Sequence, residues 1–288
     1  MIKIIDNFDL SQISYIKIGG ICKRYITFDD LNYLSNLPDK FIAISSTSKI
    51  LFAFNYTPIT YIKFIKDNII FFNDSYFIYA GARLIDIYNK LYKYNLSGFE
   101  KIATIPGLLG GSIVNNSSFL NQCISDNLIK ILVFENGKFH FLSKKELNFS
   151  YRSSSLKRNN ILIIGGYFKK VYKDEKAIKT DFIKAIQYRY KHQKEHLMTL
   201  GSTFKNPNNI SIGKVIDKLN LKGFYLDKNV KISSNHGNFI IVNEKSNYLQ
   251  VLHLITTLKC VLYNYLGVTV DLEIVVINDD GEYGIRFK

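Results

Sequence analysis

The sequence predicts an α+β protein in successive parts, and three observations carry that reading. Residues 14–164 hold many short β-type runs separated by glycine and polar turns. Residues 200–288 alternate two amphipathic helical patterns with three strand patterns. Between them, residues 173–198 are charged and polar, as an exposed helix or linker would be.

The elements follow in chain order. Ser14-Tyr-Ile-Lys-Ile18 alternates like a half-buried strand and stops at Gly19-Gly20. Residues 41–44 and 51–54 are apolar runs on either side of a Ser/Thr turn, and 69–72 and 76–79 give two more strands. A helix is predicted over 84–94, with Leu84, Ile87, Leu91 and Tyr94 on one face and Asn95 suited to a left-handed cap. After a Gly-rich segment at 98–118 come strands near 128–134, 138–142 and 161–164. So much β structure, punctuated by Gly turns, does not fit a doubly wound nucleotide fold. In the last part, a helix at 212–219 ends at Asn220, and strands follow at 230–233 and 238–242. A helix over 247–266 steps through Leu249, Leu252, Ile255, Lys259 and Leu262 and stops at Gly267. A final strand is predicted over 268–276.

Composition narrows the function classes. The chain has 288 residues, 47% of them hydrophobic, enough for about two domains with a substantial core. No uncharged apolar run reaches the ~18 residues of a membrane helix. Asp6 comes too early for a secretory signal peptide, so a cytoplasmic location without membrane contact is expected. Cys22, Cys123 and Cys260 match neither a disulfide framework nor a metal-ligand spacing; they read as buried small hydrophobes, and no metal is expected. The formal charge of +14 suggests a polyanion partner. Against that, 32 of the 38 basic residues are Lys, and they are dispersed without a block of five. Lys, Ile, Asn, Phe and Tyr share A/T-rich codons, so a biased genome can supply the excess, and no nucleic-acid partner is expected.

Four segments carry chemistry. Ile105-Pro106-Gly107-Leu-Leu-Gly110-Gly111-Ser112-Ile-Val-Asn-Asn116 can bring backbone N–H groups close to a phosphate, or can be a structural turn. It is neither a dinucleotide fingerprint nor a P-loop. Tyr151-Arg152-Ser153 follows aromatic residues, and a packed Arg presents a fixed fork to a carboxylate or phosphate; a surface Arg is the alternative. Gly201-Ser202-Thr203-Phe204-Lys205-Asn206-Pro207 gathers a hydroxyl, an ammonium and an amide in one loop but lacks a serine-hydrolase elbow. Glu273 lies in an apolar run, where a buried carboxylate is costly unless paired; an edge strand facing water is the alternative.

Together these segments resemble the UDP-N-acetylenolpyruvoylglucosamine reductases. The resemblance runs from Ile16 to Asn278 in order. It also takes in Gly98-Phe-Glu100, Leu221-Lys-Gly223, Ile232-Ser233, His236-Gly-Asn-Phe239 and Asn243. The short spacing from Ser153 to Ser202 resembles the shorter subclass of the family.

The resemblance implies an FAD-binding domain of the vanillyl-alcohol-oxidase (PCMH) type in two lobes, 1–66 and 67–172. A linker or helix at 173–199 and a smaller C-terminal α+β substrate domain at 200–288 complete it. It implies NADPH as hydride donor, UDP-N-acetylglucosamine enolpyruvate as substrate and a monomer. Hydride reaches C3 of the vinyl ether, and the proton reaches C2. Arg152, Ser202 and Glu273 match the catalytic positions, with Ser202 as proton donor and the other two at the substrate carboxylate. Lys205 and Asn206 match substrate-binding positions. Gly19, Gly20, Ser45, Ser46, Thr47, Ser48, Lys49, Ile105, Pro106, Gly107, Gly110, Gly111, Ser112 and Asn116 match cofactor-binding positions.

Some positions depart from the pattern. Ser45-Ser46-Thr47-Ser48-Lys49 replaces a Gly-rich Gly-Ser-Asn turn, which puts Cβ atoms where glycine suits positive φ; hydroxyls and the Lys49 charge are expected to compensate at the phosphates. Ser117-Ser118 replaces a small Ala-Gly pair, and Val275 replaces an Arg. Two other readings compete: a flavin oxidase of the same fold with another substrate, and a basic nucleic-acid-binding protein. His140, His192, His196 and His253 read as surface or packing residues, and His236 as structural.

Overall fold

The computed structural model describes residues 1–157, 160–193 and 198–284. Its strands are β1 (Ile2–Asp9), β2 (Ile21–Phe28), β3 (Phe41–Ala43), β4 (Ile50–Phe52), β5 (Tyr56–Phe64), β6 (Ile69–Phe71), β7 (Ser75–Tyr79), β8 (Ser118–Phe119), β9 (Gln122–Cys123), β10 (Leu128–Glu135), β11 (Lys138–Ser143), β12 (Ile161–Lys169), β13 (Met198–Ser202), β14 (Val230–Ile232), β15 (Phe239–Val242) and β16 (Val275–Ile277). Its helices are α1 (Leu84–Tyr92), α2 (Leu109–Val114), α3 (Glu175–His192), α4 (Ile212–Lys218) and α5 (Tyr248–Leu266). The part of the 173–199 segment at 194–197, with His196, lies outside the described residues.

Contacts divide the chain into two units that interleave in sequence. The first comprises Met1–Asp6, Arg24–Ser46 and Ile59–Arg189, and the second Asn7–Lys23, Thr47–Pro58 and Tyr190–Lys288. Each has its own apolar core. Strands β1, β2, β5 and β3 form a four-stranded sheet in that order.

The first unit is built on an antiparallel five-stranded sheet, β11-β10-β12-β7-β6. Tyr76 and Phe168 stack in its core at 5.9 Å. Helix α1 buries Leu84, Ile87 and Leu91 as their spacing requires. Asn95 has φ of 54°, and Leu96 N donates to Leu91 O at 3.1 Å, closing the helix with a left-handed residue. Tyr94 departs from the expected face: it lies beyond the last helical turn and is exposed. Helix α3 is largely exposed; it buries Ile178 and Ala185 and stacks Phe182 on Tyr88 at 4.1 Å.

The second unit pairs the antiparallel sheet β13-β15-β14 with α4, α5 and the parallel pair β16-β4. Its core joins Ile16, Ile18 and Leu51 to Leu200, Phe204, Ile216, Ile232, Leu254 and Leu258. Asn247 and Gln250 form a reciprocal capping box on α5, and Gly267 ends it at φ of 70°. The buried stripe of α5 runs through Val251, Leu254, Ile255, Leu258 and Leu262, whereas Leu249, in the first turn, is exposed.

Three local expectations are corrected. Residues 14–18 alternate in burial as a strand would, yet they form a turn: Lys17 has φ of 58° and its N–H donates to Ser14 O at 3.1 Å. The last strand shortens to Val275–Ile277, because residues 271–273 pair with the 203–205 loop instead of continuing a ladder. Of the cysteines only Cys22 is buried; Cys260 is exposed, off the buried stripe of α5.

Candidate functional site

In the second unit, the serine loop, the acid and the serine-rich turn converge. β13 and β15 shift register between Thr199 and Ser202, and Gly201 has φ of 70°, a conformation that favours glycine. The loop beyond is held at every step. Thr203 N donates to Asn238 O at 2.8 Å, and the Asn238 side chain holds both Phe204 N, at 3.0 Å, and Phe204 O, at 2.8 Å. Lys205 N donates to Asp271 O at 2.9 Å, and Asn206 Oδ1 accepts from Ile212 N at 3.0 Å.

Glu273 N donates to Thr203 O at 2.8 Å, which sets the acid beside Ser202 in the fold. The Glu273 side chain is 6% exposed and pairs with Lys49 Nζ at 2.9 Å. The same ammonium donates to Ser202 O at 2.9 Å. A buried carboxylate is tolerated only with such a partner. The predicted apolar setting of Glu273 is therefore observed, but on an irregular segment and with a charge partner that sequence reasoning did not foresee. The turn that carries Lys49 has Thr47 at φ of 56°, and buried Thr47 Oγ1 accepts from Tyr15 N at 3.0 Å and donates to Ile13 O at 2.8 Å. Gly20 packs directly on backbone, since a Cβ there would lie 2.2 Å from Phe54 O; Gly19 likewise faces the backbone of Leu10 and Ser11. His236 Nδ1 accepts from Asn238 N at 3.3 Å and its ring lies 4.1 Å from Phe239, a structural arrangement.

In the first unit, the Gly-rich segment leads from a short 3-10 turn into α2. Leu109 N and Gly110 N donate to Ala82 O and Ala80 O at 2.8 and 2.9 Å, and Ser112 Oγ donates to Leu108 O at 2.9 Å. Ile105 is half-buried and Pro106 exposed; Gly107 O accepts from Leu84 N at 3.1 Å. A Cβ on Gly111 would lie 2.9 Å from Ser45 Cβ, so the segment and the start of the serine-rich turn touch as closely as glycine allows. Two buried oxygens here, Ser45 Oγ and Asn116 Oδ1, find no partner among the described residues. A polar cofactor that supplies donors and acceptors would satisfy them, so these residues fit such a group.

Arg152 lies on the 150–153 turn in the left-handed region, at φ of 56°. Its Nη1 donates to Ser118 O at 3.0 Å and to Ser118 Oγ at 2.7 Å, and its guanidinium carbon lies 5.5 Å from the Tyr151 ring centre. Asn116 Nδ2 donates to Ser150 O at 3.0 Å, which ties the same turn to the Gly-rich segment. Sequence reasoning noted Ser118 only as a departure from a small residue. Its role as an Arg152 partner carried no sequence signal beyond residue type; Asn238 lies in the matched His236-Gly-Asn-Phe239 run, but nothing there marks it as the brace of the serine loop.

This arrangement defines a class before it defines a protein. The fold is that of the crystal structure of UDP-N-acetylenolpyruvylglucosamine reductase (MurB) from Thermus caldophilus, at a TM-score of 0.83 and 23% identity over 96% of this chain and 98% of that one. Residues 192–277 match the family model described as the UDP-N-acetylenolpyruvoylglucosamine reductase C-terminal domain. The reductase of that name from Prochlorococcus marinus subsp. pastoris is 35% identical over 70% of this chain and 69% of its own length. The one from Aquifex aeolicus is 29% identical over 96% of both chains. The chain belongs to the UDP-N-acetylenolpyruvoylglucosamine reductase family, and is an oxidoreductase of peptidoglycan precursor synthesis.

Proposed function

We propose that the chain reduces the enolpyruvyl ether of UDP-N-acetylglucosamine to UDP-N-acetylmuramate with NADPH, as a cytoplasmic monomer that carries FAD. Residues 1–66 and 67–172 are read as the FAD-binding lobes of PCMH type, 173–199 as the connection and 200–288 as the substrate domain. Gly19, Gly20, the 45–49 turn (at Lys49 its main chain alone, since the ammonium is spent on Glu273 and Ser202) and the segment from Ile105 to Asn116 are the residues for FAD; the two buried oxygens of Ser45 and Asn116 support that assignment. FAD, held by these residues, would supply the hydride-transfer chemistry that links NADPH to the vinyl ether.

The chain's own residues do the rest. Hydride at C3 pushes charge onto the substrate carboxylate; Arg152 is assigned to stabilise it as a fixed cation, and Glu273 as a hydrogen-bond donor through a proton that it shares with Lys49. Ser202 gives its proton to C2, which suits a weak acid only against a strongly basic centre. Lys205 and Asn206 take the substrate and its phosphates; Asn206 spends its Oδ1 on Ile212 N, which leaves Nδ2 to donate.

The observation that carries this reading is the convergence of Ser202 and Glu273 on one ammonium, each at 2.9 Å from Lys49 Nζ. Anaerobic stopped-flow on Ser202→Ala tests it. NADPH should reduce the flavin at the normal rate, and reoxidation by the enolpyruvyl substrate should slow by about 10²–10⁴-fold. Normal reoxidation would sink the role of Ser202.

A further inference from the structure

We propose that Lys49 is a positioning residue for the reduction step, holding the Ser202 loop and the Glu273 carboxylate in one register through its ammonium. This rests on the assignment of Ser202 and Glu273 above.

Both ends of Lys49 grip the segment that carries the acid. Its carbonyl accepts from Val275 N at 2.7 Å, where β4 and β16 begin to pair, and its Nζ reaches back to Glu273 Oε1 at 2.9 Å. A second donor of the same ammonium takes Ser202 O at 2.9 Å. A fixed main chain and a two-pronged side chain leave little freedom between the proton-donor loop and the acid. Gly201 completes the fit: a Cβ there would stand 3.4 Å from Lys49 Nζ, on a backbone whose positive φ already disfavours side chains.

A surface ion pair would not have these features. Glu273 is 6% exposed and Lys49 only 30%. The ammonium is a compact charge on a flexible stem, able to serve a carboxylate and a carbonyl at once. Small displacements of reacting groups cost rate far more than they cost substrate affinity, on the order of 10²-fold for 1 Å. The position should therefore govern kcat and leave KM near normal.

The test uses the FAD-loaded full chain with Lys49→Met, Lys49→Arg and Ser202→Ala. At saturating enolpyruvyl substrate, Lys49→Met should reoxidise about 10–100-fold more slowly, with NADPH reduction and KM within about twofold of the parent. Lys49→Arg, which again offers donors to both oxygens, should recover most of the rate. Thermal unfolding gives a second readout that is independent of turnover. Lys49→Met should lower Tm by removing the Lys49 counter-charge from a buried carboxylate, and adding Glu273→Gln should restore part of the loss.

A folded Lys49→Met that reoxidises normally overturns the proposal, as does a raised KM at unchanged kcat or an equal loss of NADPH reduction. If Lys49→Met does not fold, Lys49→Gln, too short to serve both oxygens, carries the same expectation. If Ser202→Ala itself reoxidises normally, the catalytic reading fails. If it stalls while the Lys49 variants turn over normally, only the Lys49 assignment fails.

Discussion

Arg152 in the first unit and Glu273 in the second are both proposed catalytic residues, yet the protein holds them differently. Arg152 is half-buried on a turn and is held by the carbonyl and hydroxyl of one serine, beside an exposed tyrosine ring. Glu273 is buried, and a full opposite charge holds it. The difference follows from solvation. A half-buried guanidinium, weakly hydrated and rich in donors, can be directed by neutral oxygens. A carboxylate withdrawn from water needs a counter-charge, or burial costs several kcal/mol. Function and stability should therefore be separable at Arg152 and coupled at Glu273.

The most demanding test of that contrast is Arg152→Gly. It should lower kcat/KM at least about 10²-fold, while the unfolding free energy moves by less than about 1 kcal/mol, because relief of the left-handed φ offsets the lost hydrogen bonds. A large loss of stability would break the comparison. Next in size is Ser118→Ala. It removes the 2.7 Å bond to Nη1 but keeps the carbonyl bond, and should cost about 1–2 kcal/mol, or roughly 5–30-fold in kcat/KM. An unchanged steady-state rate would show that the backbone alone aims Arg152.

A third effect, no larger than that, concerns pH and the way the first unit buries neutral hydroxyls. Burial pushes the Tyr88 phenol up to about 12, with Tyr92 and Glu100 adding to the shift, and burial raises Tyr76 as well. A raised phenol pKa means that the fold favours the protonated form. The contribution is complete below the ordinary value of 10 and is lost as pH rises from 10 toward about 12. Tyr88→Phe should flatten that alkaline loss by on the order of 1–2 kcal/mol, as read from denaturant titrations at pH 8 to 12. An alkaline slope equal to the parent's would place the loss elsewhere.

Much of this was legible without the structure where the signal was local. Helix α1 has its apolar stripe and Asn95, and α5 has Gly267, all within a few residues of the elements they define. The candidate loops carried dense, ordered residue patterns. Legibility failed where a long-range partner decided. The alternation at 14–18 predicts a strand, but the turn that forms there buries every second residue as well. The 268–274 segment reads as strand, but pairing with the serine loop takes its hydrogen bonds.

By itself, the sequence determined the α+β class, most helix ends, the motif loops and the family they resemble, because propensity, capping and turn chemistry act between near neighbours. Tertiary structure alone decided that residues 7–23 and 47–58 pack with the last hundred, that Ser118 meets Arg152, and that Lys49 meets Glu273. Those are contacts between residues far apart in the chain. Their energies depend on burial and on which charge arrives opposite which, and neither is present until the core has closed.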